Sequence, residues 1–105
     1  MGKKEIRQQF RSAVFGRDKF TCKVCNTKRA EDELDAHHIT DRSLMVNGGY
    51  VAANGITVCK EKCHMRVERF HITGGTEWDE GLHPDDLYRL IGSSREKADR
   101  DSERL

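Results

Sequence analysis

Hydrophobic residues return along this chain in short runs with two different periods. Between residues 3 and 15, Ile6, Phe10 and Val14 recur every four positions with Ala13 beside them, and Arg7 and Arg11 share another face. That pattern predicts an amphipathic helix, and Gly16 is its expected stop. RDKFTCKVC then reads as a short strand-like piece running into a cysteine pair, and residues 26–33 as a polar loop. LDAHHI (34–39) predicts a strand, residues 40–53 with Gly48 and Gly49 a loop, and the β-branched ITVC (56–59) a second strand. Over residues 63–71, Val67 and Phe70 give a helix its apolar edge, and Gly74 and Gly75 end it. HPDDLYRLI (83–91) predicts a last helix, about 84–92, with Pro84 in its first turn and Leu87, Leu90 and Ile91 docking it. Residues 93–105 are almost all polar or charged and read as a frayed helix or a flexible tail. No internal repeat is present. The expectation is one α+β domain over 1–92 followed by that tail.

Composition adds a constraint on stability. Of 105 residues, 35% are hydrophobic and 35% charged, so there is little apolar material to bury. A small domain of this kind calls for a staple. Charge is uneven: residues 1–30 carry nine Lys/Arg against two acids, a net +7, whereas the remainder nets −6. A basic front end on a nearly neutral chain suits a polyanion partner, although a solvated helix face would look the same. The basic N-terminus is not followed by an apolar run, so neither a signal peptide nor a membrane span is expected, and the cytoplasm is the expected location.

The staple is legible in the cysteines. Cys22 and Cys25 (CKVC) and Cys59 and Cys63 (CKEKC) form two close pairs. Zinc takes four thiolate or imidazole ligands in a tetrahedron, and a short gap lets one tight turn offer two sulfurs. Two disulfides, or four unconnected thiols, are the alternatives; a cytosolic setting favours zinc. The second pair has three intervening residues, and His64 stands next to Cys63 as an alternative ligand.

Between and beyond the pairs lie DAHHIT (35–40), Asn54 and His64. Neighbouring side chains of a strand point to opposite faces, so His37 and His38 are expected to do different things. One can ligate a metal while the other accepts a proton, since a free imidazole titrates near ~6.5.

The stretch RDKFTCKVC, then DAHHIT, then NGITVCKEKCH resembles the HNH endonuclease family, over about residues 11–72. The resemblance implies a ββα-metal core, about 34–72, flanked by N- and C-terminal helices. It implies His37 and His64 as ligands of a catalytic divalent ion (Mg²⁺, Mn²⁺, Ni²⁺ or Zn²⁺) and His38 as the general base. It further implies that Asn54 hydrogen-bonds across the loop to position the His38 backbone. The four cysteines would hold structural zinc. Thr40 and Asp41 stand where many members have proline, and CKEKC is one residue longer than usual. The implied reaction is hydrolysis of DNA phosphodiesters, nicking or double-strand, by a monomer or a homodimer. Small relatives of this kind occur in phage and restriction systems.

Other residues carry lesser expectations. From His64, Glu68 and His71 fall on one helical face, which makes His71 a candidate third ligand or phosphate contact. Arg7, Arg11, Arg17 and Lys19 are candidate phosphate contacts, with Arg17 foremost because it lies within the motif-bearing segment. Lys3 and Lys4 read as solvated, His83 as a helix-start residue, and Trp78 and Phe70 as core. Two rival readings are a non-catalytic zinc-containing DNA-binding module and a protein-interaction zinc domain. Neither needs the set His37, His38, Asn54 and His64.

Overall fold

The computed structural model describes residues 2–105. Helix α1 (Lys3–Arg17) runs through Gly16 and ends at Asp18, after which Lys19 and Phe20 both take left-handed backbone angles (φ 55° each) to reverse the chain. Strands β1 (Leu34–His38) and β2 (Gly55–Cys59) pair antiparallel, with Leu34 opposite Cys59 and His38 opposite Gly55. Helix α2 (Cys63–Ile72) follows after a short turn. Helix α3 (Pro84–Leu90) opens on a capping box in which His83 and Asp86 serve each other's backbone, with Pro84 in the first turn. A last helix, α4, spans Arg95–Glu103.

The core forms where α1 lies on the hairpin. Phe10, Val14 and Phe15 are buried, as is every residue of β2. The helix approaches so closely that a Cβ on Gly55 would sit 2.7 Å from Phe10 Cε1 and closer still to Val14. A side chain at 55 would therefore push α1 off the strand. Val67 of α2, Leu87 and Tyr88 of α3 and Ala98 of α4 complete one continuous apolar cluster.

Three features differ from the sequence expectations. Residues 95–103 form a docked helix, so the chain past 92 belongs to the same body as the rest. Its buried residues are only Ala98 and Ser102, one turn apart, which leaves no apolar stripe to read. Ser102 compensates with polar contacts: its hydroxyl donates to the Val46 carbonyl and accepts from the Gly49 N–H at 3.0 Å. In α3, Tyr88 is buried and Leu90 is 44% exposed, the reverse of a simple hydrophobicity ranking. Trp78 is 45% exposed, resting on Phe70 and His83 rather than entering the core. Among the described residues, no helix is long and apolar enough to cross a membrane.

Candidate metal centres and the two faces of the first strand

The four cysteines meet at one end of the hairpin. Cys22 and Cys25 sit on a tight turn closed by Asn26 in the left-handed region (φ 59°), where the Asn26 N–H donates to the Cys22 carbonyl at 2.7 Å. Cys59 ends β2 and Cys63 opens α2, and the Cys63 N–H points at the Cys59 sulfur at 3.4 Å. All four sulfurs lie within 4.8 Å of one another, and none is in a disulfide. The Thr27 hydroxyl draws the Cys25 pKa down to about 6, while burial and the neighbouring sulfurs push that of Cys63 up. Four sulfurs this close cannot all be thiolates without a cation among them, and they form a set that could bind a metal.

Cys63 and His64 are adjacent yet face different centres. Cys63 completes the sulfur cluster, and His64 turns into a second one with His37 and Glu68, whose donor atoms also lie within 4.8 Å of one another. Helical spacing puts His64 and Glu68 four apart on the α2 face that meets β1. Strand alternation puts Asp35 and His37 on the β1 face that meets α2. His37 Nδ1 lies 3.0 Å and His64 Nε2 3.2 Å from the same Glu68 Oε1. His64 Nδ1 lies 2.7 Å from Asp35 Oδ2. Donating from both nitrogens, His64 must be an imidazolium, and the bond to Glu68, then that to Asp35, raises its pKa. Glu68 is held far below the usual carboxylate range by its bonds to His37 and His64. Burial has the opposite effect on His37, whose pKa it lowers. A metal ion at His64 Nε2 would replace the proton there and leave Nδ1–H donating to Asp35, the arrangement that fixes a metal-binding imidazole in place.

His71 is placed outside the ligand set. Its ring stacks on His37 with centroids 5.2 Å apart, and its Nε2–H donates to the His38 carbonyl at 3.0 Å. The third donor is Glu68, which sequence spacing singled out only as a companion of His71.

The other face of β1 is aromatic. The His38 ring stacks on Phe10 at 4.5 Å and meets the edge of Tyr50 at 4.7 Å. Its Nε2 is buried with no hydrogen-bond partner. Burial, helped by repulsion from His37 whenever that ring is protonated, lowers its pKa to about 4. The ring is therefore neutral throughout the physiological range.

Asn54 spans the loop between the strands. Its Oδ1 accepts from the Thr40 N–H (2.9 Å) and the Tyr88 hydroxyl (2.7 Å), and its Nδ2 donates to the Thr40 and Gly49 carbonyls. The Ile39 N–H donates to the Asn54 carbonyl at 2.9 Å, which closes the hairpin one residue beyond His38. Tyr88 and Gly49 were not legible as partners. A Cβ on Gly49, at φ 71°, would meet Asn54 Nδ2 at 2.6 Å.

Of the expected phosphate contacts, Arg17 is placed elsewhere. Its guanidinium forms a fork on Asp18 (both bonds 2.7 Å) and donates to the Ala52 and Gly55 carbonyls at 2.7 and 2.6 Å. The bond to Gly55 ties α1 to β2, and the four together leave little donor capacity for a phosphate. Arg7 is exposed on α1, Arg11 lies over the Phe15 ring at 4.9 Å, and Lys19 is exposed beyond the helix end.

In comparisons with protein-family models, curated proteins and solved structures, nothing matches the chain. The functional reading therefore rests on the geometry of these side chains.

Proposed function

We propose that this chain is a metal-dependent DNA endonuclease of the HNH type, with zinc on the four cysteines as its staple. The observation that carries the reading is the convergence of His37, His64 and Glu68 across β1 and α2, with a neutral His38 next door. Two imidazoles and one carboxylate suit several first-row divalent ions and leave coordination positions open to water and substrate. A divalent ion bound there would stabilise charge developing on the phosphate and the leaving oxygen.

The chain's own residues supply the rest. Asp35 orients His64 through Nδ1, and Glu68 supplies the negative charge of the ligand set. His38 accepts a proton from the attacking water, with Phe10 and Tyr50 fixing its ring plane. Asn54 and His71 hold the His38 backbone, one from the loop side and one from α2. The β1–β2–α2 order and this division of labour support a ββα-metal assignment of the core. One such site cuts one strand, and a concerted double-strand break would need two copies.

A second reading, a non-catalytic zinc-containing DNA-binding module, draws on one observation: His38 Nε2 is buried between aromatic rings, as a structural histidine would be. Incubation of the zinc-loaded protein with supercoiled plasmid and Mg²⁺, Mn²⁺ or Ni²⁺ separates the two. Nicked product that disappears in His38→Ala, with zinc content and fold retained, is the expected result. Plasmid that stays supercoiled in every ion would leave the binding module standing.

A further inference from the structure

A basic cavity has Tyr50, the ring that packs on His38, as one of its walls. It measures about 440 Å³, and its walls include Lys3 and Arg7 of α1 and Asp41, Arg42 and Tyr50 of the interstrand loop. Its cations differ from most of the chain's arginines. Arg17, Arg29, Arg66, Arg69, Arg89 and Arg95 each pair with a carboxylate, whereas among the described residues Lys3, Arg7 and Arg42 have none within ion-pair distance. Asp41, the carboxylate on the wall, is engaged by the N–H and hydroxyl of Ser43. The Arg42 guanidinium donates one N–H to the Tyr50 hydroxyl at 2.7 Å and makes no other hydrogen bond among the described residues. Burial raises the Tyr50 pKa, but the hydrogen bond from Arg42 and the nearby charges of Arg42 and Arg7 outweigh it and leave the phenol below its ordinary value.

Lys3, Arg7 and Arg42 face the hollow against the single carboxylate of Asp41, which leaves an excess of positive charge, and an anion between the cations lowers their mutual repulsion. Guanidinium groups with free paired N–H donors match the oxygens of a phosphate. We infer that this cavity is a second phosphate subsite, taking a backbone phosphodiester that flanks, on the same DNA strand, the one presented to His38. The inference rests on the endonuclease reading. Tyr50 links the two places, since the ring that walls the cavity also packs against His38. A strand seated in the cavity bears on the side chain that orients the base, so the subsite places the scissile bond as well as adding affinity.

The test measures binding of a short fluorescein-labelled DNA duplex to the zinc-loaded protein at several salt concentrations, with no other divalent ion added. Arg7→Gln and Arg42→Gln should each lower the salt slope by about one unit, and the double variant by about two. Lys60→Gln, a change at an exposed lysine outside the cavity walls, should keep both slope and affinity. Tyr50→Phe removes the hydroxyl but no charge, so it should keep the slope and lower the plasmid cleavage rate. Inorganic phosphate should shift the amide resonances around Arg7, Arg42 and Tyr50 in the wild type and not in the double variant. If the wild type cuts plasmid while both arginine variants keep its salt slope, the subsite is wrong and the endonuclease reading stands. If phosphate shifts those resonances but the wild type neither binds nor cuts DNA, the endonuclease reading fails, and the assignment of the cavity to a DNA strand falls with it.

Discussion

His37 and His38 are chemically identical neighbours, each with a buried, unpartnered Nε2 and a pKa lowered by burial, yet the two faces of β1 give them different company. On the α2 side, His37 and His64 crowd one oxygen of Glu68, and His64 directs one ring nitrogen at each of two carboxylates. On the α1 side, His38 is boxed by Phe10 and Tyr50, has no carboxylate against its ring, and is neutral down to about pH 4. The first environment holds a donor set that could bind a metal ion. The second refuses charge and keeps its imidazole neutral. A one-residue step along a strand is enough to separate the two, because the pleat sends alternate side chains into different surroundings.

The largest expected effect breaks the comparison at its catalytic end. His38→Gln should lower plasmid cleavage by about 10²–10⁴-fold, the usual worth of a general base, at unchanged affinity for the added divalent ion. Glu68→Gln should also lower cleavage, but through metal binding, so raising the Mn²⁺ concentration should restore part of its rate and none of that of His38→Gln. Equal rescue of both variants would show that His38 acts on the metal and not on water.

Stability against pH should separate His38 from His64 by sign. The folded pKa of His38, about 4, lies below its ordinary 6.5 because of burial. Between those values the unfolded chain binds a proton that the folded chain does not. Stability is therefore lost as pH falls through that window, by up to about 3 kcal/mol. His64 is raised, chiefly by Glu68, and contributes stability that is present in acid and lost as pH rises through its folded pKa. In urea titrations between pH 4 and 7, His38→Gln should flatten the acid loss of stability and His64→Gln should steepen it. The samples carry zinc and no other added divalent ion. Shifts in the same direction would mean that the two faces are not electrostatically distinct.

How far these faces could be seen beforehand depends on the range of the interactions that build them. The cysteine set, β1, β2 and α2 were legible because their signals are local: paired sulfurs, β-branched runs and an i, i+4 face. Glu68 and Asp35 obey the same periodicities. They went unassigned because a carboxylate is the commonest surface group in a chain that is 35% charged. The aromatic box was not legible at all, since Phe10 and Tyr50 reach His38 from 28 residues upstream and 12 downstream. The docking of helix α4, read from the sequence as a frayed helix or a tail, escaped for a related reason: it docks through Ala98 and Ser102, small residues whose burial depends on a loop surface far away in sequence.

A smaller effect tests the support behind the metal-collecting face. Asp35→Asn keeps an oxygen near His64 Nδ1 but removes the charge. Affinity for the catalytic ion, read by Mn²⁺ titration, should fall by about 10–100-fold, as for other carboxylates behind metal-bound histidines. Zinc on the cysteines should be untouched, since none of the four is within hydrogen-bond reach of Asp35. Unchanged Mn²⁺ affinity would reduce the 2.7 Å contact to a surface ion pair.

The smallest effect concerns the face that refuses charge, and it turns on Arg17. Its guanidinium donates to the carbonyl of Gly55, the residue opposite His38 in the register, and its fork on Asp18 presents a carboxylate that also accepts the Thr57 N–H at 3.0 Å. The same latch holds α1, and with it Phe10, against the strand. As a phosphate contact, Arg17 would set the salt dependence of DNA binding; as a latch, it sets the geometry of the His38 box. Arg17→Gln leaves the buried Asp18 without its partner and two carbonyls without charged donors. Even so, the side chain is 29% exposed and water can replace part of the loss. Folding stability should fall by about 2 kcal/mol in urea denaturation. The salt slope for duplex binding should stay at the wild-type value, and cleavage should fall less than in His38→Gln. A slope lower by one unit, with stability intact, would return Arg17 to the DNA interface and leave the box held by Phe10 packing alone.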